Sequence, residues 1–129
     1  MKYFGKLILF SFVLIVNIFS YPGEVVQSYD ISYSCPTGLT FDGNNLWMAD
    51  RKADKLICIS GENGKEIKSI ESPSYWPMGL AWDGEFLWST DQETGEIYKV
   101  NPDNGTIQKA IFYPGSTPRD IAWDGKYLW

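Results

Sequence analysis

Short apolar runs alternate with turn-forming dipeptides along the chain from Pro36 onward. Gly79 to Trp82 (GLAW) ends at Asp83-Gly84, a dipeptide suited to a tight turn because glycine tolerates positive φ. Glu85 to Thr90 (EFLWST) follows and ends at Asp91 and the polar QETG. Glu96 to Val100 (EIYKV) alternates with the period of two expected of a half-buried strand. Asn101-Pro102-Asp103-Asn104-Gly105 then turns the chain, and Thr106 to Phe112 (TIQKAIF) makes a fourth run. The spacing predicts four antiparallel strands in sequential order, with no room for a helix.

The same pattern recurs upstream without gaps. Asp42, Asp83 and Asp124 lie 41 residues apart, as do Pro36, Pro77 and Pro118, and Trp47, Trp88 and Trp129. Lys55 to Ser60 and Lys65 to Ile70 match the third and fourth strands of the later copy. A period of this length built from four short strands is the sequence signature of a propeller blade. The expectation is an all-β, β-propeller chain of four-stranded antiparallel blades: residues 36–73, residues 77–114, and the start of a third blade over 118–129. Val25 to Ile31 aligns with a fourth strand and is expected to stand alone as the closing strand of a last blade. About two and a half blades are present, short of a ring, so the chain reads as the N-terminal part of a longer one.

Within the first strands, Leu39, Leu80 and Ile121 share a face with Phe41, Trp82 and Trp123, while Thr40, Ala81 and Ala122 make a small face. Five tryptophans (Trp47, Trp82, Trp88, Trp123 and Trp129) fall at repeating positions. They are assigned to packing between blades rather than to sugar stacking.

Residues 1–20 read as a signal peptide. Lys2 and Lys6 precede the apolar run Leu7 to Phe19, and Ser20 offers a small residue for cleavage. An uncleaved N-terminal anchor is the alternative, and either places the remainder outside the cytoplasm, secreted or periplasmic. The full chain has 11 basic and 16 acidic residues and a formal charge of −5; without the two leader lysines it is −7. That surface repels phosphate backbones and anionic lipid, so neither nucleic acid nor, beyond the leader, a membrane is an expected partner.

Histidine is absent, which removes Ser-His-Asp and Cys-His catalysis and His-ligated metals. Cys35 falls in a loop before a first strand and Cys58 in a third strand. That places them about 10 Å apart laterally, beyond disulfide reach, so two separate thiols are expected.

The pattern P-x-G-[LI]-x-[WF]-D-G-x-x-L-W-x-x-D, followed by I-Y-K-V-N-P-x-N-G, resembles extracytoplasmic β-propeller repeats of the YVTN and NHL kind. It is also similar to the superfamily of gluconolactonase-like proteins and bacterial glutamine cyclotransferases. The resemblance covers residues 25–129 and implies the fold, while many activities share that fold. Gluconolactonase-like enzymes hold a divalent metal on the channel axis with Glu, Asn and Asp ligands; no position of this sequence matches those ligands. No cofactor is expected in this chain, and Ca²⁺ or another divalent metal only in a full ring.

Binding in propellers concentrates in the loops joining a fourth strand to the next first strand (Ser32 to Pro36, Pro73 to Pro77, Pro114 to Pro118). The loops from second to third strands, beginning at Asp50 and Asp91, share that face. Arg119-Asp120 replaces Met78-Gly79, offering a carboxylate or phosphate clamp or a local ion pair. Trp76 replaces Cys35 and is a contact residue for a partner or sugar, or packs across blades. Arg51-Lys52 reads as solvated surface. Asp50 and Asp91 recur and are either Ca²⁺ ligands or caps of their own turns. The candidate binding residues are therefore Trp76, Arg119, Asp120, Asp50 and Asp91, with no catalytic residue assigned. The leading reading is a scaffold for a protein, peptide or glycan; the alternative is part of a lactonase-type or glutamine cyclotransferase-type enzyme with a channel site.

Overall fold

The structure is a computed structural model that describes residues 22–115 and 117–129. The expected signal peptide lies outside the described residues. Eight strands are formed: β1 (Pro36–Phe41), β2 (Asn45–Asp50), β3 (Lys55–Ser60), β4 (Glu66–Glu71), β5 (Pro77–Trp82), β6 (Leu87–Asp91), β7 (Glu96–Val100) and β8 (Ile107–Phe112). They make two four-stranded antiparallel sheets in sequential order, β1 to β4 and β5 to β8, the two blades expected from the repeat.

Several strand starts differ from the expected ones. Asp83 accepts the N–H groups of Glu85 and Phe86 at 3.0 and 2.7 Å, and β6 begins at Leu87; with the same bonds to Asp42, β2 begins one repeat position earlier, at Asn45. Asn63 and Asn104 likewise take the N–H groups of Lys65 and Thr106, each at 3.0 Å, which delays β4 and β8 by one residue. First strands instead begin two residues early, at the prolines.

Register explains the large and small faces. Trp47 lies opposite Thr40 of β1, and Trp88 opposite Ala81 of β5. Ala122 and Trp129 exchange backbone bonds of 3.0 and 2.9 Å, so the third copy repeats the pairing as a short hairpin with one bridge, Trp123 to Leu128. In each copy a small residue leaves room beside the indole.

The main core lies between the sheets. Trp47, Ala49, Leu56, Cys58 and Ile70 of the first meet Leu80, Leu87, Tyr98 and Val100 of the second. Ala81, Trp88 and Ile121 form the next layer, between the second sheet and the third-copy hairpin. The role of neighbours is visible at matched positions. Leu80 is 3% exposed under the first sheet, whereas Leu39, with no sheet before it among the described residues, is 62% exposed. Burying such a side chain stabilises by about 1.5–3 kcal/mol.

Blade spacing is set by glycine. A Cβ on Gly38 would lie 2.3 Å from the Met78 carbonyl oxygen, and one on Gly79 would lie 2.6 Å from the Asp120 Cα. Inner strands of successive copies thus run backbone against backbone. Asp120 stands where the third copy would have that glycine.

Val25 to Ile31 forms no strand, contrary to the expected lone fourth strand, because no described strand offers it a ladder partner. Its far end is nonetheless placed by the repeat. Tyr29 packs on Gly64 in the turn before β4, as Ile70 packs on Gly105 in the turn before β8. The Tyr29 hydroxyl also donates to the Glu62 carbonyl at 2.6 Å. Cys35 and Cys58 are separate thiols, as the spacing predicted, and burial pushes the Cys58 thiol up.

Candidate functional site

The two ends of each blade are built from different aspartates. At the end carrying Asp42, Asp83 and Asp124, one carboxylate oxygen accepts two backbone N–H groups and the other accepts an indole N–H five residues on. The indole bonds are Trp47 to Asp42 at 2.9 Å, Trp88 to Asp83 at 2.8 Å and Trp129 to Asp124 at 2.8 Å. The following glycines adopt φ near +100° (Gly43 100°, Gly84 100°, Gly125 99°), which lets the hairpin close.

All three carboxyls are held below the usual range. At Asp42 and Asp83 burial opposes ionisation, and it is outweighed by backbone N–H groups, the indole and a lysine, Lys68 or Lys99. At Asp124 the Tyr127 N–H leads, with the Trp129 indole next. A carboxylate held below its unfolded-state value stabilises the fold only while ionised. That contribution is complete above about pH 4 and disappears as pH falls through the folded-state value. The urea midpoint is therefore expected to stay level from neutral pH to about pH 5 and to fall below about pH 4. An equal midpoint at pH 3 and pH 7 would overturn this, and Asp42→Asn should flatten the profile.

The opposite end is the loop face, and Asp50 and Asp91 organise it. Each is 1% exposed. Asp50 Oδ1 accepts the N–H groups of Lys52 and Ala53 at 2.9 and 2.8 Å, and Oδ2 accepts that of Cys35 at 2.9 Å. Asp91 accepts Glu93 and Thr94, both at 2.9 Å, and Trp76 at 2.8 Å. Of the two roles weighed from sequence, the geometry is that of turn caps, with the oxygens already committed to backbone donors. Among the described residues no cluster of three acidic or cysteine side chains could hold a metal ion.

These caps also tie one loop to another. The Cys35 carbonyl accepts the Arg51 N–H at 3.0 Å, and the Trp76 carbonyl accepts the Gln92 N–H at 3.1 Å. In the two four-stranded blades the residue before the first strand is thus clamped at both its N–H and its C=O, while its side chain differs, Cys35 in one and Trp76 in the other. Both are a fixed backbone that presents a variable group. Thr117 is the matching residue of the third copy.

Trp76 is the largest group presented, 39% exposed, with Tyr75 beside it at 75%. The Arg51 guanidinium of the preceding blade sits 4.8 Å from the Trp76 ring centroid. Arg51, read from sequence as solvated surface, is exposed and in addition lies over the indole as a cation. The signal was present: Arg51 and Trp76 depart from the repeat in two loops of the same face, one blade apart.

Arg119 and Asp120 lie elsewhere. They are exposed, form no ion pair with each other among the described residues, and line a cleft of about 310 Å³ with Ile97, Tyr113, Leu128 and Trp129. The Asp120 carboxylate accepts its neighbour Ile121 N–H at 2.9 Å. Trp76 is not among the residues lining this cleft.

No protein-family model matches the sequence, and no curated protein is significantly similar to it. Solved structures are. A glutaminyl cyclase of Myxococcus xanthus matches with a TM-score of 0.68 and 17% identity, over 81% of this chain and 45% of that one. A virginiamycin B lyase of Staphylococcus aureus matches at 0.60 and 22%, over 78% and 36%. A chain of a nidogen–laminin complex matches at 0.62 and 22%, over 70% and 35%. The fold is that of a β-propeller. The chain spans less than half the length of each of these propellers, and at such identities the likeness is one of fold. The blade repeat of the sequence and the sheets of the structure agree with it.

Proposed function

We propose that this chain is an extracytoplasmic propeller scaffold that binds a protein, peptide or glycan through its loop face. The observation that supports this most is the clamped position before each blade. Two hydrogen bonds fix the backbone of Trp76 while its ring is presented with Arg51 stacked on it. Aromatic and arginine side chains held rigid at a surface are the residues that dominate recognition energies.

Peptide-display selection and a glycan array with the purified chain test this reading. Binders are expected whose capture is lost on Trp76→Ala and kept on Glu62→Ala, a turn variant at the other end of the blade. Binding indifferent to Trp76 would overturn it.

A second reading draws support from the cleft at Arg119 and Asp120 and from the likeness to a cyclase and a lyase. It makes the chain part of a lactonase-type or glutamine cyclotransferase-type enzyme. Turnover of a lactone or of an N-terminal glutamine peptide, abolished by Asp120→Asn, would favour it over the scaffold.

A further inference from the structure

Arg51 is unusual on this surface for what it lacks. Its guanidinium touches the Trp76 ring, yet among the described residues it makes no ion pair and no side-chain hydrogen bond. Lys52, next to it and exposed, makes none either. The nearest carboxylates in sequence do not satisfy them. Asp50 is turned inward onto backbone N–H groups, and Asp54 remains in its own turn at positive φ, 53°. An acidic chain thus exposes two adjacent cations beside two exposed aromatic rings. Stacking holds one guanidinium face against the indole and leaves its edge donors free in the fork geometry that fits a carboxylate.

Carboxylates accompany Tyr75. A shallow groove there is lined by Asp54, Glu71, Ser72 and Tyr75. A ligand lying across Tyr75 and Trp76 therefore meets a cation beside Trp76 and carboxylates beside Tyr75.

We infer that the Arg51–Trp76–Tyr75 surface docks a polypeptide segment that presents a carboxylate to Arg51 and an ammonium or guanidinium to the groove. This rests on the loop-face reading above and specifies its ligand. Charge complementarity selects polypeptide over acidic glycan: a uniformly anionic saccharide would gain at Arg51 and be repelled at Asp54 and Glu71, whereas a peptide carries both signs within a few residues. The exposed aromatic pair also suits a peptide surface better than a small ligand, which needs an enclosing pocket.

The test uses the immobilised chain and three soluble probes: a random copolymer of glutamate, lysine and tyrosine, poly-lysine, and polygalacturonate. The mixed copolymer is expected to bind better than polygalacturonate, with affinity falling as salt rises, while poly-lysine, drawn to the acidic surface as a whole, is expected to bind equally well to the Arg51→Ala variant. Arg51→Ala should weaken copolymer binding about tenfold, the loss of one recognition hot spot. Arg51→Lys should recover only part, since an ammonium lacks the planar fork. Lys109→Ala, which removes an equal charge from the exposed outer strand β8, should leave binding unchanged. Three outcomes would overturn the inference: no binding of the copolymer, equal binding of the copolymer by Arg51→Ala, or tighter binding of polygalacturonate. Loss on Trp76→Ala with no effect of Arg51→Ala would overturn it while leaving the loop-face reading standing. Arg51 is solvent-exposed, so its variants are expected to unfold at the wild-type urea midpoint, which is checked first.

Discussion

Trp47→Ala is expected to cost about 3–5 kcal/mol, the range for removing a buried tryptophan. Trp47 is 1% exposed at the centre of the interface between the two sheets. Its indole also holds the Asp42 turn, with the Lys68 ammonium 5.4 Å from the ring centroid. Alanine would leave a void between blades and a carboxylate with one partner fewer. A domain of this size has about 5–15 kcal/mol in total, so the variant should lie close to unfolding. Trp129→Ala makes the matched control. It sits at the same repeat position with the same carboxylate bond, yet is 76% exposed and should cost less than about 1 kcal/mol. Urea unfolding followed by far-ultraviolet circular dichroism compares them, and equal losses for the two would refute the packing account.

The second large effect belongs to a side chain that is absent. Gly38→Ala places a methyl group 2.3 Å from the Met78 carbonyl oxygen and 2.8 Å from the Leu80 nitrogen. Both are backbone atoms of β5 and cannot rotate away. The inner strands must separate, which loosens the contact of β1 and β2 with β5 and admits water to the main core. A loss of about 1–3 kcal/mol or more follows from overpacking alone, read as a lower urea midpoint. Gly61→Ala is the comparison, because its nearest contact would be an ordinary 3.7 Å to the Asn44 carbonyl. If Gly38→Ala were as stable as Gly61→Ala, glycine would not set the spacing between blades.

Much of this was legible in the sequence. A gapless repeat reports every element several times over, so the sheets, their order and the burial of Trp47 and Trp88 followed from spacing; of the other tryptophans assigned to packing, Trp82 and Trp123 are half-buried and Trp129 is exposed. The turn-capping of Asp50 and Asp91 was one of two readings, and the geometry matches it. The rest depended on information that one repeat does not hold. The starts of β4 and β8 moved because Asn63 and Asn104 divert backbone donors by side-chain bonds that composition alone does not rank. Leu39 and Phe41 belong to an apolar face by pattern, but their exposure depends on which neighbours the chain supplies. Arg51 looked like loop polarity because its partner, Trp76, lies in the loop leading into the next blade. Only the register of two blades brings them together.

The clamped residue before each blade carries an evolutionary consequence. Its backbone bonds come from an aspartate and a loop N–H, neither of which depends on the side chain presented. Copies made by duplication would therefore inherit identical frames and diverge in what they display through single codon changes. Cysteine at 35 and tryptophan at 76 fit that description. New contact chemistry at these two points can arise by drift, without first passing through a misfolded intermediate.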